Sequence, residues 1–188
     1  MPELAPDPRR DAILDAATQV FLRYGFKKTS MDDVARVAGL SRQGLYLHFP
    51  TKEALFKDGL TRLIDATRQA GRSALLRDEL SVDQRLLEMF VAIHGVLIGQ
   101  PGAEHMNELM QTAAQLVGPA VAELEQDQIA DLAKFFRTTG MAARWKEKGV
   151  TAKDLAEQLF ATSCGFKHRV ATTAEYRERM GTAVLLLL

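Results

Sequence analysis

The sequence predicts an all-α fold of about nine helices, with a short N-terminal helix-turn-helix domain followed by a longer helical domain. Three observations carry this. Apolar residues recur at three- and four-residue spacing along most of the chain. Alternating β-branched runs are missing, and no hairpin turn of the Asn-Gly or Asp-Gly kind joins two such runs. Finally, Ser30, Ser81, Thr151 and Thr172 are each followed three residues later by an acid or glutamine, the pairing that caps a helix start.

The first helix opens after Pro8, buries Ile13, Ala16, Ala17, Val20 and Phe21, and stops at Gly25. Ser30 with Asp33 opens a short helix through Ala38, and Gly39-Leu40 breaks it. Ser41 caps a third helix, Arg42 to His48, which Phe49-Pro50 ends because the residue before proline avoids the helical region. Thr51 starts a fourth helix reaching about Arg72. Ser81 with Gln84 opens a fifth, to about Ile98, and Gln100-Pro101-Gly102 breaks the chain there. Helices near Ala103 to Leu116 and Pro119 to Thr138 come next, and the caps at Thr151 and Thr172 open two closing helices. The natural cut falls after the short helices, giving domains 1–55 and 56–188.

Composition narrows the class of protein. With 188 residues and 47% hydrophobic content the chain can bury a real core, and no repeat or low-complexity tract interrupts it. Twenty-four Lys plus Arg balance 24 Asp plus Glu, so any nucleic-acid contact must be a local patch instead of a basic coat. The single cysteine, Cys164, has no intrachain partner for a disulfide, and the opening residues lack the apolar core of a secretory signal. A reducing cytoplasm is the expected location. The apolar run 183–188 is far shorter than the roughly 20 residues needed to cross a bilayer, so no membrane partner is expected.

Two short helices joined by a glycine-containing turn form the DNA-binding helix-turn-helix layout. Ala35 is small where the two helices cross, Gly39 accommodates a positive φ in the turn, and Val34, Val37, Leu40, Leu45 and Phe49 supply an apolar wedge. At about 100° per residue, Leu45 and Phe49 turn inward together, while Arg42, Gln43, Tyr46 and Leu47 share the outward side. Arg42 can present a planar fork to guanine O6 and N7, and Gln43 can pair with adenine N6 and N7. Tyr46, His48 and Lys52 suit phosphates, with Lys52 in the first turn of the fourth helix, where free N–H groups also favour an anion. Arg9 and Arg10 precede this unit; a minor-groove contact and plain solvation are both open readings for them.

Ala16, Phe21, Gly25, Thr29, Ala35, Ala38 and Gly39, followed by Ser41-Arg-Gln-Gly-Leu-Tyr-Leu-His-Phe-Pro-Thr-Lys-Glu-Ala-Leu55, resemble the DNA-binding domain of the tetracycline-repressor (TetR) family. The resemblance runs from about Ala12 to Leu60. It implies that Thr29 or Ser30 touches a phosphate, that Arg42, Gln43 and Tyr46 face the major groove, that His48 contacts DNA, and that Lys52 clamps the backbone. Gly44 departs from the pattern, since many members carry Thr or Ser there; operator preference therefore does not transfer. The resemblance further implies a small-molecule pocket in the C-terminal helices, a homodimer through the last two helices, and a near-palindromic operator whose half-sites lie about 34–36 Å apart or a multiple of that.

The second half speaks less clearly. Met89, Phe90, Ile93, His94, Met106 and Met110 are candidates to line an effector pocket, yet such residues at helical spacing serve equally as ordinary core. His94 either finds a buried partner or serves a ligand. Cys164 and His168 share a helix face but lack a third ligand for a metal. Trp145 among Arg144, Lys146 and Lys148 reads as a solvated loop with one packed indole, or as an anion site. The stripes Leu155, Leu159, Phe160, Ser163, Phe166 and Val170, then Tyr176, Met180 and Val184, look too apolar for a single layer to hide, which favours a two-fold interface. No nucleophile elbow, phosphate loop, zinc-peptidase motif or dinucleotide turn is found, so neither an enzyme nor a cofactor is expected. The function expected is a sequence-specific regulator, a repressor released from its operator by a small molecule. A helical module that binds only protein partners is the alternative.

Overall fold

The computed structural model describes residues 7–99 and 105–187. Among them are nine α-helices and no strand: α1 (Pro8–Tyr24), α2 (Met31–Val37), α3 (Arg42–His48), α4 (Lys52–Leu75), α5 (Val82–His94), α6 (Met106–Val117), α7 (Ala120–Thr138), α8 (Ala152–Lys167) and α9 (Thr173–Leu185). The break expected at Gln100-Pro101-Gly102 and the helix start at Ala103 lie outside the described residues. None of the described helices is long and apolar enough to cross a membrane.

The starts follow the caps. Ser30 and Thr151 each form a reciprocal box with Asp33 and Asp154. At α9 the Thr172 hydroxyl accepts from the Glu175 N–H, but the Glu175 carboxylate reaches one residue further back, to the Ala171 N–H. Helix ends were less exact. α5 stops at His94 and tightens into a 3₁₀ turn, Gly95–Leu97, instead of continuing to Ile98. Residues Met141–Lys148, expected as a loop, form a 3₁₀ segment between two left-handed glycines, Gly140 and Gly149.

The chain divides into two compact units, and neither is one continuous stretch: 7–64 with 105–121, and 65–99 with 122–187. The reason is packing. Leu55 and Phe56 of α4 and Leu109 and Ala113 of α6 are buried in the same core as the N-terminal helices.

In the first unit, Ile13, Ala17, Val20 and Phe21 of α1 meet Val34 and Ala35 of α2, Leu45 of α3 and Phe49. Phe21, Phe26 and Phe56 stack and cross with ring centres 5.0–5.7 Å apart. Arg62 reaches Asp11 and Asp15, and Arg10 pairs with Asp58 beneath the Phe49 ring, fastening α1 to α4. Arg10 is thereby committed inside the domain and is no free arm. Val37, expected in the apolar wedge, is about half exposed at 51%; at the last turn of a seven-residue helix it points past the crossing that Val34 and Ala35 fill.

In the second unit, Leu86, Met89 and Phe90 of α5, Leu132 and Phe136 of α7, Leu155, Ala156, Leu159 and Phe160 of α8 and Tyr176, Met180 and Val184 of α9 form the core. Arg68–Asp127 and Arg72–Asp131 tie α4 to α7, and Arg177 grips both oxygens of Glu88 between α9 and α5. Leu155, Leu159, Phe160, Tyr176, Met180 and Val184, read from the sequence as interface stripes, are buried within the chain itself. Their apolar character is used up by one copy.

Candidate nucleic-acid interface

The helix-turn-helix is built from stiff, separately capped pieces. Ser30 fixes the start of α2, its hydroxyl accepting from the Asp33 N–H at 3.2 Å while Asp33 accepts from the Ser30 N–H at 3.0 Å. Hydrogen bonds from the Ser30 hydroxyl and backbone, and then Arg36, hold the Asp33 carboxyl below the usual carboxylate range. Gly39 turns the chain at φ +67°, a conformation that strains any residue with a Cβ. Ser41 then accepts from the Gly44 N–H at 3.0 Å and starts α3.

Leu45 and Phe49 are buried, whereas Arg42, Gln43, Tyr46 and Leu47 are exposed, with Leu47 at 84%. The outward face therefore combines a guanidinium, an amide, a phenol and an apolar side chain within two turns, with half-buried His48 at its end. This inventory offers donors and acceptors to base edges and an apolar contact for a thymine methyl group. Arg42 does not hang free. Its Nη1 donates to Asp32 Oδ2 at 2.9 Å, and its guanidinium carbon lies 5.6 Å from the Tyr46 ring centre. Tyr46 and then Asp32 hold the guanidinium more firmly protonated than usual.

Two of the expected phosphate contacts are otherwise engaged. Thr29 is 2% exposed, and its hydroxyl donates to the Gly25 carbonyl at 2.6 Å, so its side chain closes the α1–α2 turn and does not face solvent. Lys52 is half buried; its ammonium donates to the Phe26 and Thr29 carbonyls at 2.9 and 3.0 Å and lies 4.3 Å from the Phe26 ring centre. Two backbone acceptors and an aromatic face hold the ammonium against the same turn in the DNA-free chain. Ser30 is exposed, but its hydroxyl and its N–H both donate to the Asp33 carboxylate, at 2.5 and 3.0 Å.

That turn is held from a third side, which sequence reasoning missed. Glu108 of α6 accepts from the Lys27 N–H at 2.6 Å, and Gly25, at φ +78°, lies so close that an added Cβ would stand 3.0 Å from the Glu108 carboxylate. Asp32 was likewise overlooked; only the fold brings it to Arg42, ten residues on.

The expected effector residues separate. Met89, Phe90, Ile93 and His94 are together in the core of the second unit, whereas Met106 and Met110 belong to the first, with Met110 43% exposed. His94 has its partner: Nε2 lies 3.1 Å from Ser163 Oγ, and since that hydroxyl donates to the Phe160 carbonyl at 2.6 Å, the imidazole is the donor. Burial, then Lys167 and His168, push the imidazole down to about 3. Tyr176 packs edge-on to His94 with its hydroxyl buried, and burial raises that phenol. Cys164 is half buried and its thiol is likewise raised by burial. Trp145 packs against the core with Lys148 over its ring, the indole N–H unpaired. Among the described residues no group of three or more His, Cys, Asp or Glu side chains is arranged to hold a metal ion.

Comparison with known proteins agrees with this geometry. The family model for bacterial regulatory proteins of the tetR family matches residues 13–58. The HTH-type transcriptional repressor ComR of Escherichia coli is 37% identical over 84 residues, covering 45% of this chain and 40% of that protein. RutR of E. coli, an HTH-type transcriptional regulator, is 38% identical over 61 residues, covering 32% of this chain and 29% of its own length. These matches therefore span less than half of the relatives. Solved structures extend the likeness in fold to nearly the whole chain. A Mesorhizobium loti protein assigned to the TetR family matches with a TM-score of 0.69 at 21% identity, covering 99% of this chain and 98% of that one. Reduced NemR of E. coli matches at 0.68 and 17% identity, over 93% and 95%. With capped helix-turn-helix, family match and whole-chain fold in agreement, residues 13–58 of this chain are similar to the tetR family of bacterial regulatory proteins, and the whole chain shares the fold of solved structures assigned to that family.

Proposed function

We propose that the protein is a one-component transcriptional repressor that binds a near-palindromic operator as a homodimer in the cytoplasm and leaves it when a small molecule binds. The observation that carries this reading is the exposed face of α3, Arg42, Gln43 and Tyr46, presented on a helix that is capped at its start and wedged by Leu45 and Phe49. Groove-facing residues on a rigid short helix can read base edges, while His48 at the end of that helix can touch a flanking phosphate.

Two further features support the rest. The outward sides of α8 and α9 carry small residues, Ala161 and Gly165 on one and Ala174 and Gly181 on the other, and a Cβ added at either glycine would meet nothing. Such faces let helices of a second copy approach closely. The core of the second unit keeps His94, Ser163 and the buried Tyr176 hydroxyl among apolar side chains. Polar groups set among apolar side chains in one core are what a small-molecule effector would need for orientation. An effector that prefers the conformer with misplaced α3 helices lowers operator affinity by that preference.

The test is selection of the purified protein against a random DNA pool, followed by a salt titration of the winner. A near-palindrome whose affinity falls steeply with salt is expected. No enrichment from the pool would leave the helix-turn-helix as scaffold for a protein-binding module and end the proposal.

A further inference from the structure

Asp32 and Arg42 sit in the first turns of α2 and α3, on either side of the helix-turn-helix turn, and they touch. Arg42 Nη1 donates to Asp32 Oδ2 at 2.9 Å, with 64% of the arginine side chain and 56% of the aspartate exposed. An exposed pair of this kind adds almost nothing to folding stability. Its effect is on where the guanidinium points.

A guanidinium carries five N–H donors in one plane, and Asp32 takes a single Nη1 proton. That grip leaves the Nε–Nη2 edge available for a second planar partner, and guanine O6 with N7 fits such an edge. Tyr46, with its ring centre 5.6 Å from the guanidinium carbon, restrains the same group from the α3 side. Without the carboxylate, the long Arg42 side chain is free to swing to the nearest phosphate, which rewards charge and carries no sequence information. The carboxylate also disfavours binding to any phosphate backbone, so it suppresses unspecific contact.

We propose that Asp32 is a specificity-determining residue, holding the Arg42 guanidinium for a guanine edge and against phosphates. The inference rests on the reading that Arg42 faces the operator groove. Asp32 acts through Arg42 and is a positioning residue.

The experiment compares wild type, Asp32→Asn, Arg42→Ala and the double variant by pool selection and by affinity for the selected site and a scrambled duplex. Asp32→Asn keeps size and a polar first turn, and matching melting curves confirm that each variant folds. For Asp32→Asn the guanine preference at one position of each half-site should vanish, and scrambled-DNA affinity should rise several-fold. Its salt slope on scrambled DNA should steepen by about 0.9, one extra phosphate contact. Adding Asp32→Asn to Arg42→Ala should remove no further base preference. If Asp32→Asn instead strengthens both duplexes by one common factor and keeps the guanine, Asp32 is only a repelling charge and the proposal is overturned. If Arg42→Ala leaves every base preference intact, the reading of Arg42 itself fails and the proposal falls with it.

Discussion

Lys52 is where a residue's chemistry and its position in the sequence point different ways. A lysine in the first turn of a helix beside a groove-reading motif reads as a phosphate clamp, yet its ammonium donates to the Phe26 and Thr29 carbonyls. Those acceptors are 26 and 23 residues away, beyond what local spacing encodes. Lys52→Ala should therefore cost roughly 1–3 kcal/mol of stability, as charge-assisted bonds to backbone do. Urea unfolding reads this; an unchanged midpoint would return Lys52 to the DNA surface. The outward set Arg42, Gln43, Tyr46 and Leu47 was legible because a 100° helical step and two inward anchors, Leu45 and Phe49, decide it locally. Asp32 and the Ser163 partner of His94 were not, since each contact depends on how separate helices pack.

Among the elements, starts were far more legible than ends. A cap is a local hydrogen bond between residues three apart, so Ser30, Ser41 and Thr151 announce α2, α3 and α8 in the sequence. Endings depend on tertiary packing: α5 gives way to a 3₁₀ turn after His94, and Met141–Lys148 coils between two glycines where only a loop was legible. Thr151→Ala should lower stability by about 0.5–2 kcal/mol, and Thr151→Asp should restore most of it. Thermal melts of both variants check this, and an alanine variant as stable as wild type would show that the box at α8 is ornamental. By the same local logic the sequence of α6 shows an amphipathic helix but not which core receives Leu109 and Ala113.

At the scale of the whole molecule, the apolar stripes of α8 and α9 could not by themselves announce a dimer, since Leu159, Phe160, Tyr176 and Met180 are hidden within one chain. The small outward residues give the sharper test. Gly165 is exposed and unobstructed, so Gly165→Arg should leave the chain folded and, by better helix propensity, no less stable. Light scattering should nevertheless find it monomeric and wild type dimeric; a variant as dimeric as wild type would place the interface elsewhere. Acid should weaken the fold through His94, held near 3 by burial and by Lys167 and His168. The unfolded imidazole takes its proton below about pH 6.5 while the folded one stays neutral, so the unfolded chain binds more protons in that window and stability falls as pH drops through it. Between pH 7 and 5 the loss from this group is about 2 kcal/mol, and denaturant titration of His94→Gln should lack it. An identical loss in that variant would assign the acid sensitivity to carboxylates.

The central claim is that the outward face of α3 reads DNA, and one comparison tests it most directly. Selection from a random pool is run with wild type and with Gln43→Ala, whose side chain is exposed and no part of the core. The two winners should agree except at one position in each half-site, where the variant loses its base preference. Identical winners would mean that α3 does not read the sequence.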